Sequence, residues 1–142
     1  MATGDERLWR IGAYAICRRG DEVLVVRASP MTAVEGRWFL PGGGLEFGEP
    51  PDAAVLRELC EETGLTGRSP RLVGAASDVH TRRDGGRIFT VRLLYEVHVD
   101  GGELVAELGG TSDEARWVPV EDLGALDAMP YVLAALGLDA EK

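Results

Sequence analysis

The chain has 142 residues, 24 Asp and Glu against 15 Lys and Arg for a formal net charge of −9, and 45% hydrophobic content. That length suits one domain, residues 1–142, with a real core, and the acidic balance excludes a groove tracking long nucleic acid, which needs a basic face. No apolar run approaches the roughly 20 residues needed to cross a bilayer, and residues 1–10 are mostly polar or charged, unlike a secretory leader, so the expected location is cytoplasmic, with no membrane partner.

In chain order, Leu8 to Arg18 reads as a strand, with Ile11, Ala13 and Ala15 on one face and Gly12, Tyr14 and Ile16 on the other. Arg19-Gly20-Asp21-Glu22 reads as a hairpin turn into a strand over Val23 to Arg27. Ala28 to Gly36 is expected as loop, and Trp38-Phe39-Leu40 as a short buried strand that delivers the chain to Pro41 and the glycines Gly42, Gly43 and Gly44. Such a turn needs unusual backbone angles or close backbone approach.

A helix follows. Pro50 and Pro51 fit a first turn, where a missing N–H costs little, Asp52 complements the positive end of the helix dipole, and Gly64 ends the helix as a left-handed cap. At about 100° per residue from Val55, Glu62 falls at about 340°, Glu58 at about 300° and Glu61 at about 240°, while Val55, Leu59, Leu56, Cys60 and Ala53 spread from about 0° to about 160°. One face is therefore expected to be apolar, with Cys60 in the core, and the other acidic. Arg57 sits one turn from Glu61 and can hold that carboxylate. Two carboxylates about 6 Å apart repel by roughly 0.7 kcal/mol in water and roughly 3 kcal/mol at an effective dielectric near 20. A half-buried trio therefore favours a hard cation, and Mg²⁺ prefers oxygen ligands. Taken alone, glutamates at this spacing are more often a solvated face; what singles this set out is the glycine turn before it, with Glu46 and Glu49 between.

Beyond the helix, Arg71 to Val79 and Ile88 to Val99 read as strands joined by a polar hairpin at Thr81 to Gly86. Arg116 to Val120 reads as a further strand, Glu121 to Leu126 as a helical turn, and Met129 to Leu136 as a last helix ended by Gly137. Strands on both sides of a central helix, with a second helix at the end, imply an α/β fold in which a mixed sheet is covered on both faces. Cys17 and Cys60 have neither metal-type spacing nor the pattern of a disulfide framework.

The stretch Gly43, five residues, Glu49, seven residues, then Arg57-Glu58-Leu59-Cys60-Glu61-Glu62-Thr63-Gly64-Leu65 resembles the signature box of the Nudix hydrolases at every defined position. The resemblance implies an α/β/α sandwich with the box as loop-helix-loop. It also implies Mg²⁺-dependent attack of water on the pyrophosphate bond of a nucleoside diphosphate linked to another group, with Mn²⁺ as a possible substitute for Mg²⁺. On that resemblance Glu58, Glu61 and Glu62 are metal ligands or base, the Gly42 carbonyl is a further ligand, and Arg57 orients them. A further acidic ligand is expected outside the box, with Glu114 the candidate and Glu107 and Asp113 its competitors, while Glu46 and Glu49 are expected to brace the loop, Glu49 through Arg57.

Substrate residues lie outside the box. Arg27, Arg37 and Arg83 are the candidates for phosphate, beside Arg82 and Arg87, although each arginine singly is more often a surface charge; Tyr14, Trp38, Phe39 and Phe89 at strand spacing are more often core than base-stacking. His80 and Thr81 stand where an ADP-ribose subgroup carries proline, and no tyrosine there points to dinucleoside polyphosphates. A small nucleotide derivative is the expected partner. A homodimer through the apolar last helix is open, that helix being as readily core. A nucleotide sensor of the same fold, without turnover, and a prenyl diphosphate isomerase are the alternative functions; the second needs a cysteine presented to substrate.

Overall fold

The computed structural model describes residues 6–32, 34–107 and 109–138. Its elements are β1 (Arg7–Ile16), β2 (Arg18–Arg19), β3 (Glu22–Ala28), β4 (Trp38–Phe39), β5 (Gly42–Gly44), α1 (Pro51–Thr63), β6 (Leu65–Thr81), β7 (Arg87–Gly102), β8 (Ser112–Pro119), a 3₁₀ helix (Val120–Ala125) and α2 (Pro130–Ala135). The strands form two sheets. One is mixed, in the order β5-β1-β7-β6, with β1 and β7 parallel and the other pairs antiparallel; the second joins β2, β3 and β4, with β8 antiparallel to β3.

The expected α/β/α sandwich is the observed fold, with the second sheet as an addition. The alternation along β1 decides the layering. Ala13 and Ala15 pack with Val55 and Leu59 of α1 and with Tyr95 and Val97 of β7, whereas Tyr14 and Ile16 pack with Leu94 and with Tyr131 and Val132 of α2. Both faces of the strand's second half are thus buried. Each fully buried Leu or Val contributes about 1.5–3 kcal/mol of transfer free energy, and Val55, Leu59 and Val132 are fully buried. The last helix is therefore core, not a free apolar face; Trp9 and Ile11 of β1 and Val79 of β6 are among the exposed large apolar side chains. Among the described residues no helix is long and apolar enough to cross a membrane.

β6 and β7 run longer than their apolar cores suggest. β6 extends through Pro70 because it is an edge strand with register shifts on either side of it, and an edge or bulge tolerates a residue without an N–H. The α1 boundary is sharp: Gly64 takes φ 78°, the left-handed region an L side chain avoids, and donates its N–H to the Cys60 carbonyl at 2.9 Å.

Candidate active site

Strand β5 is the inner wall of the site. The Ala15 N–H donates to the Pro41 carbonyl at 2.8 Å and the Leu45 N–H to the Ile11 carbonyl at 3.0 Å, so odd-numbered residues of this segment face β1. Gly42 and Gly44 then turn their peptide groups outward, toward α1 and solvent. The Gly42 N–H donates to Glu62 Oε1 at 2.9 Å, and the Gly44 carbonyl accepts from Arg57 Nη2 at 3.3 Å. Between them, Gly43 lies against Glu58: a Cβ there would sit 2.7 Å from the Glu58 carboxylate, so a side chain at this position displaces the carboxylate from the loop.

Arg57 ties the helix to that loop. It binds Glu49 bidentately, Nε to Oε2 at 2.7 Å and Nη2 to Oε1 at 2.8 Å, and its Nη1 reaches both Glu58 and Glu61 at 3.2 Å. Glu49 also accepts the Glu46 N–H at 3.0 Å. The bidentate bond to Arg57, with that backbone bond, holds the Glu49 carboxyl down at about 2, and the same pairing pushes Arg57 further up. Glu46 itself is exposed.

The three helix carboxylates differ in burial. Glu62 is 5% exposed, Glu58 is half-buried, and Glu61 points to solvent. Burial pushes the Glu62 carboxyl well above its usual range despite the Gly42 N–H, and Glu58, Glu107 and Glu61 add to the shift by repulsion. Burial likewise raises Glu58, with Glu61 and Glu107 adding and Arg57 opposing. Arg57 draws Glu58 and Glu61 to itself, and among the described residues no three His, Cys, Asp or Glu side chains converge on one point. The geometry instead offers two clustered carboxylates, Glu58 and Glu62, beside the outward peptide of Gly42, which matches the one or two carboxylates that Mg²⁺ takes together with waters and phosphate oxygens.

Several sequence expectations need correction here. The helix does not divide into one apolar and one acidic face. It packs against β1 and β7 of the mixed sheet and against Leu24 of β3 in the second, and the buried set, Ala54, Val55, Leu59, Glu62 and Thr63, is displaced toward the acidic side, with Glu62 inside it and Cys60 outside, exposed. Exposure alone does not make Cys60 a nucleophile. Cys17 is buried, and burial pushes its thiol up to about 12, away from reactivity.

Glu114 accepts from Arg116 at 2.6 Å and pairs with Arg27 at 3.3 Å on the second sheet. The acid outside the box that acts on Glu58 and Glu62 is its competitor Glu107, in the loop between β7 and β8, a position whose sequence signal is only that of an acidic residue in a loop. Arg27 also binds Asp113 at 2.9 Å, and Arg37 binds Asp127 at 3.2 Å and the Ala128 carbonyl at 3.3 Å, so their partners are not box carboxylates. Arg83 is exposed at the tip of the β6–β7 hairpin. Sequence reasoning missed Arg10 and Arg92, on the sheet face above β5; strand alternation from Tyr14 would have placed Arg10 there, and only the parallel pairing of β1 with β7 places Arg92.

A model of the NUDIX domain family matches residues 7–136. Diphosphoinositol polyphosphate phosphohydrolase 3-alpha of Mus musculus is 40% identical over 125 residues, which cover 84% of this chain and 70% of that protein. Among solved structures, a NUDIX hydrolase from Nitrosomonas europaea is similar with a TM-score of 0.72 at 23% identity, over 90% of this chain and 86% of that one. A MutT protein from Methanosarcina mazei Go1 has a TM-score of 0.70 at 25% identity, over 89% and 88% of the two chains.

Proposed function

This chain belongs to the Nudix hydrolase family and is a pyrophosphohydrolase, and from that premise we propose that it hydrolyses, with a divalent metal ion, the pyrophosphate bond of a small nucleotide derivative in the cytoplasm. The observation that carries the metal is Glu62, a nearly buried carboxylate held by one backbone N–H and repelled by Glu58 and Glu107. That donor set fits Mg²⁺ or Mn²⁺, which Glu58, Glu62 and the Gly42 carbonyl would hold, with Glu107 as the acid outside the box in preference to Glu114. Bound there, the ion supplies charge neutralisation at the phosphate oxygens and lowers the pKa of a water.

The remaining work falls to the chain itself. Glu61, open to solvent and oriented by Arg57, takes the proton of the attacking water as its oxygen bonds to phosphorus. The bond from phosphorus to the bridging oxygen then breaks, and the leaving phosphate carries away that oxygen's electron pair. Arg57, fixed by Glu49, sets the height of the helix against the glycine loop and so the distance between Glu61 and the reacting phosphorus. Incubation with a panel of nucleotide derivatives, with Mg²⁺, Mn²⁺ or EDTA, tests this reading through release of phosphate or nucleoside monophosphate. Metal-dependent release from one compound is expected, and no release from any member sinks it. A second reading, a phosphoanhydride on a phosphorylated inositol, is favoured by the 40% identity to the mouse protein over most of the chain, and such compounds belong in the same panel.

A further inference from the structure

The face of the mixed sheet opposite α1 carries a buried cation with no part in the chemistry above. Arg92 is 7% exposed. Its guanidinium lies 4.5 Å from the centre of the Tyr131 ring and 5.7 Å from that of Tyr14, and Nη1 donates to Asp78 Oδ2 at 2.5 Å. Among the described residues its Nε has no hydrogen-bond partner. A buried guanidinium normally satisfies its donors, yet the carboxylate that Arg92 holds is itself 43% exposed and sits at the solvent side.

The surroundings of Arg92 are built for an approaching ligand. It lies in register with Gly12 of β1, and Gly12 in turn with Gly44 of β5; the Tyr14 ring lies over Gly12, and the bare backbone of the floor is at Gly44. A Cβ on Gly44 would meet nothing nearer than 3.9 Å, and one of those two atoms is Nε of Arg10. Arg10, two residues before Gly12, projects from the same face as Arg92, and adjacent strands with a two-residue offset put the two about 8 Å apart at the backbone. Arg10 is exposed. Both cations act on the Tyr14 hydroxyl, and each opposes the upward push of its burial. From Gly44 the chain leads back one residue to Gly43, on which Glu58 rests, and a second to Gly42, which binds Glu62.

We propose that this floor, between Arg10 and Arg92, is a second anion subsite that receives a phosphate carried by the substrate outside its scissile diphosphate, with Asp78 holding Arg92 in that phosphate's place until it binds. The proposal rests on the pyrophosphohydrolase reading for its orientation: a molecule whose diphosphate lies at Glu58 and Glu62 extends across Gly44 to the two arginines. Recognition here is by charge. The Tyr14 and Tyr131 rings are buried and already engaged by Arg92, so they offer no open face to a base, whereas two guanidinium groups supply the fork of donors a phosphate accepts. Asp78 and the incoming phosphate compete for the same donors, which sets the sign of the test.

Two probes lacking any phosphoanhydride separate the sources of such a phosphate: inositol hexakisphosphate for a phosphorylated polyol and adenosine 3′,5′-bisphosphate for a phosphorylated ribose. Binding is measured calorimetrically in EDTA, so the result does not depend on metal or turnover and stands apart from the hydrolysis test. At least one probe is expected to bind, and which one identifies the source. Arg10→Gln and Arg92→Lys weaken that binding about tenfold, while Asp78→Asn, which removes the competing charge, tightens it about threefold or more. Arg10 and Asp78 are exposed, so their variants fold even where an Arg92 variant does not. In turnover, Arg10→Gln raises KM with little change in kcat. Binding by neither probe overturns the proposal, and so does an Asp78→Asn variant that binds more weakly than the wild type, since a purely structural Arg92–Asp78 pair predicts that loss.

Discussion

Glu62 and Arg92 are both charged, both nearly buried, and lie on either side of the same glycine strand, yet they are kept in opposite ways. Arg92 is supported by two tyrosine rings and a carboxylate, and it remains comfortable as a cation. Glu62 has one backbone N–H and a set of repelling carboxylates, so its anionic form is destabilised in the folded chain. A buried charge that its neighbours compensate serves position or recognition. One that its neighbours oppose is held ready for a counter-charge from outside.

The sharpest way to break this contrast is to neutralise Glu62. Glu62→Gln keeps an acceptor for the Gly42 N–H, so its effect is on charge, and kcat is expected to fall by about 10²–10⁴ in saturating Mg²⁺. Wild-type activity in that assay, carried out with a phosphate-release readout, should also vanish in EDTA and return with Mg²⁺ or Mn²⁺. Retention of full activity by the Gln variant removes the premise that the buried carboxylate holds the metal.

Arg57→Lys comes next. Lysine keeps the charge but cannot bridge Glu49, Glu58 and Glu61 at once, and a loss of about 10–100-fold in kcat is expected from the loosened helix-loop register. On the opposite side of β5, Arg92→Ala leaves a gap against two rings and an unpaired Asp78. Thermal unfolding should show a destabilisation of about 1–3 kcal/mol.

Glu62→Gln also reports on stability, with the sign reversed relative to activity. The folded-state pKa of Glu62 lies above its unfolded value, so the stability this group contributes is fully present below the usual carboxylate pKa and is lost as pH rises through the raised one. In EDTA at neutral pH the Gln variant should therefore be the more stable protein, by about 1 kcal/mol or about 3 °C in Tm, and the gap should close toward pH 4. Glu49 behaves conversely. Its pKa is depressed to about 2, so the Glu49–Arg57 bridge contributes stability above about pH 4.5 and releases it as pH falls through about 2. Smallest of all, Cys60→Ser on the exposed side of α1 should shift stability by less than about 0.5 kcal/mol, where a core cysteine would cost more.

By itself the sequence determined the local elements and the chemistry of the box. The alternation in β1, the proline pair at the start of α1, the glycine that ends it and the order Gly43, Glu49, Arg57 to Glu62 are all short-range patterns, and short-range patterns dictate backbone conformation and composition. Tertiary structure alone decided which of those side chains are buried and what they face. The layers that α1 packs against set which arc of it is buried, and that arc is displaced from its apolar residues toward the acidic ones, which put Glu62 inside and Cys60 outside. The parallel pairing of β1 with β7, more than seventy residues apart in the chain, brought Arg92 beside Gly12, and the return of the β7–β8 loop brought Glu107 toward Glu58 and Glu62 while β3 held Glu114 away in ion pairs. Such pairings are set by long-range burial and register, and no window of the sequence contains both partners.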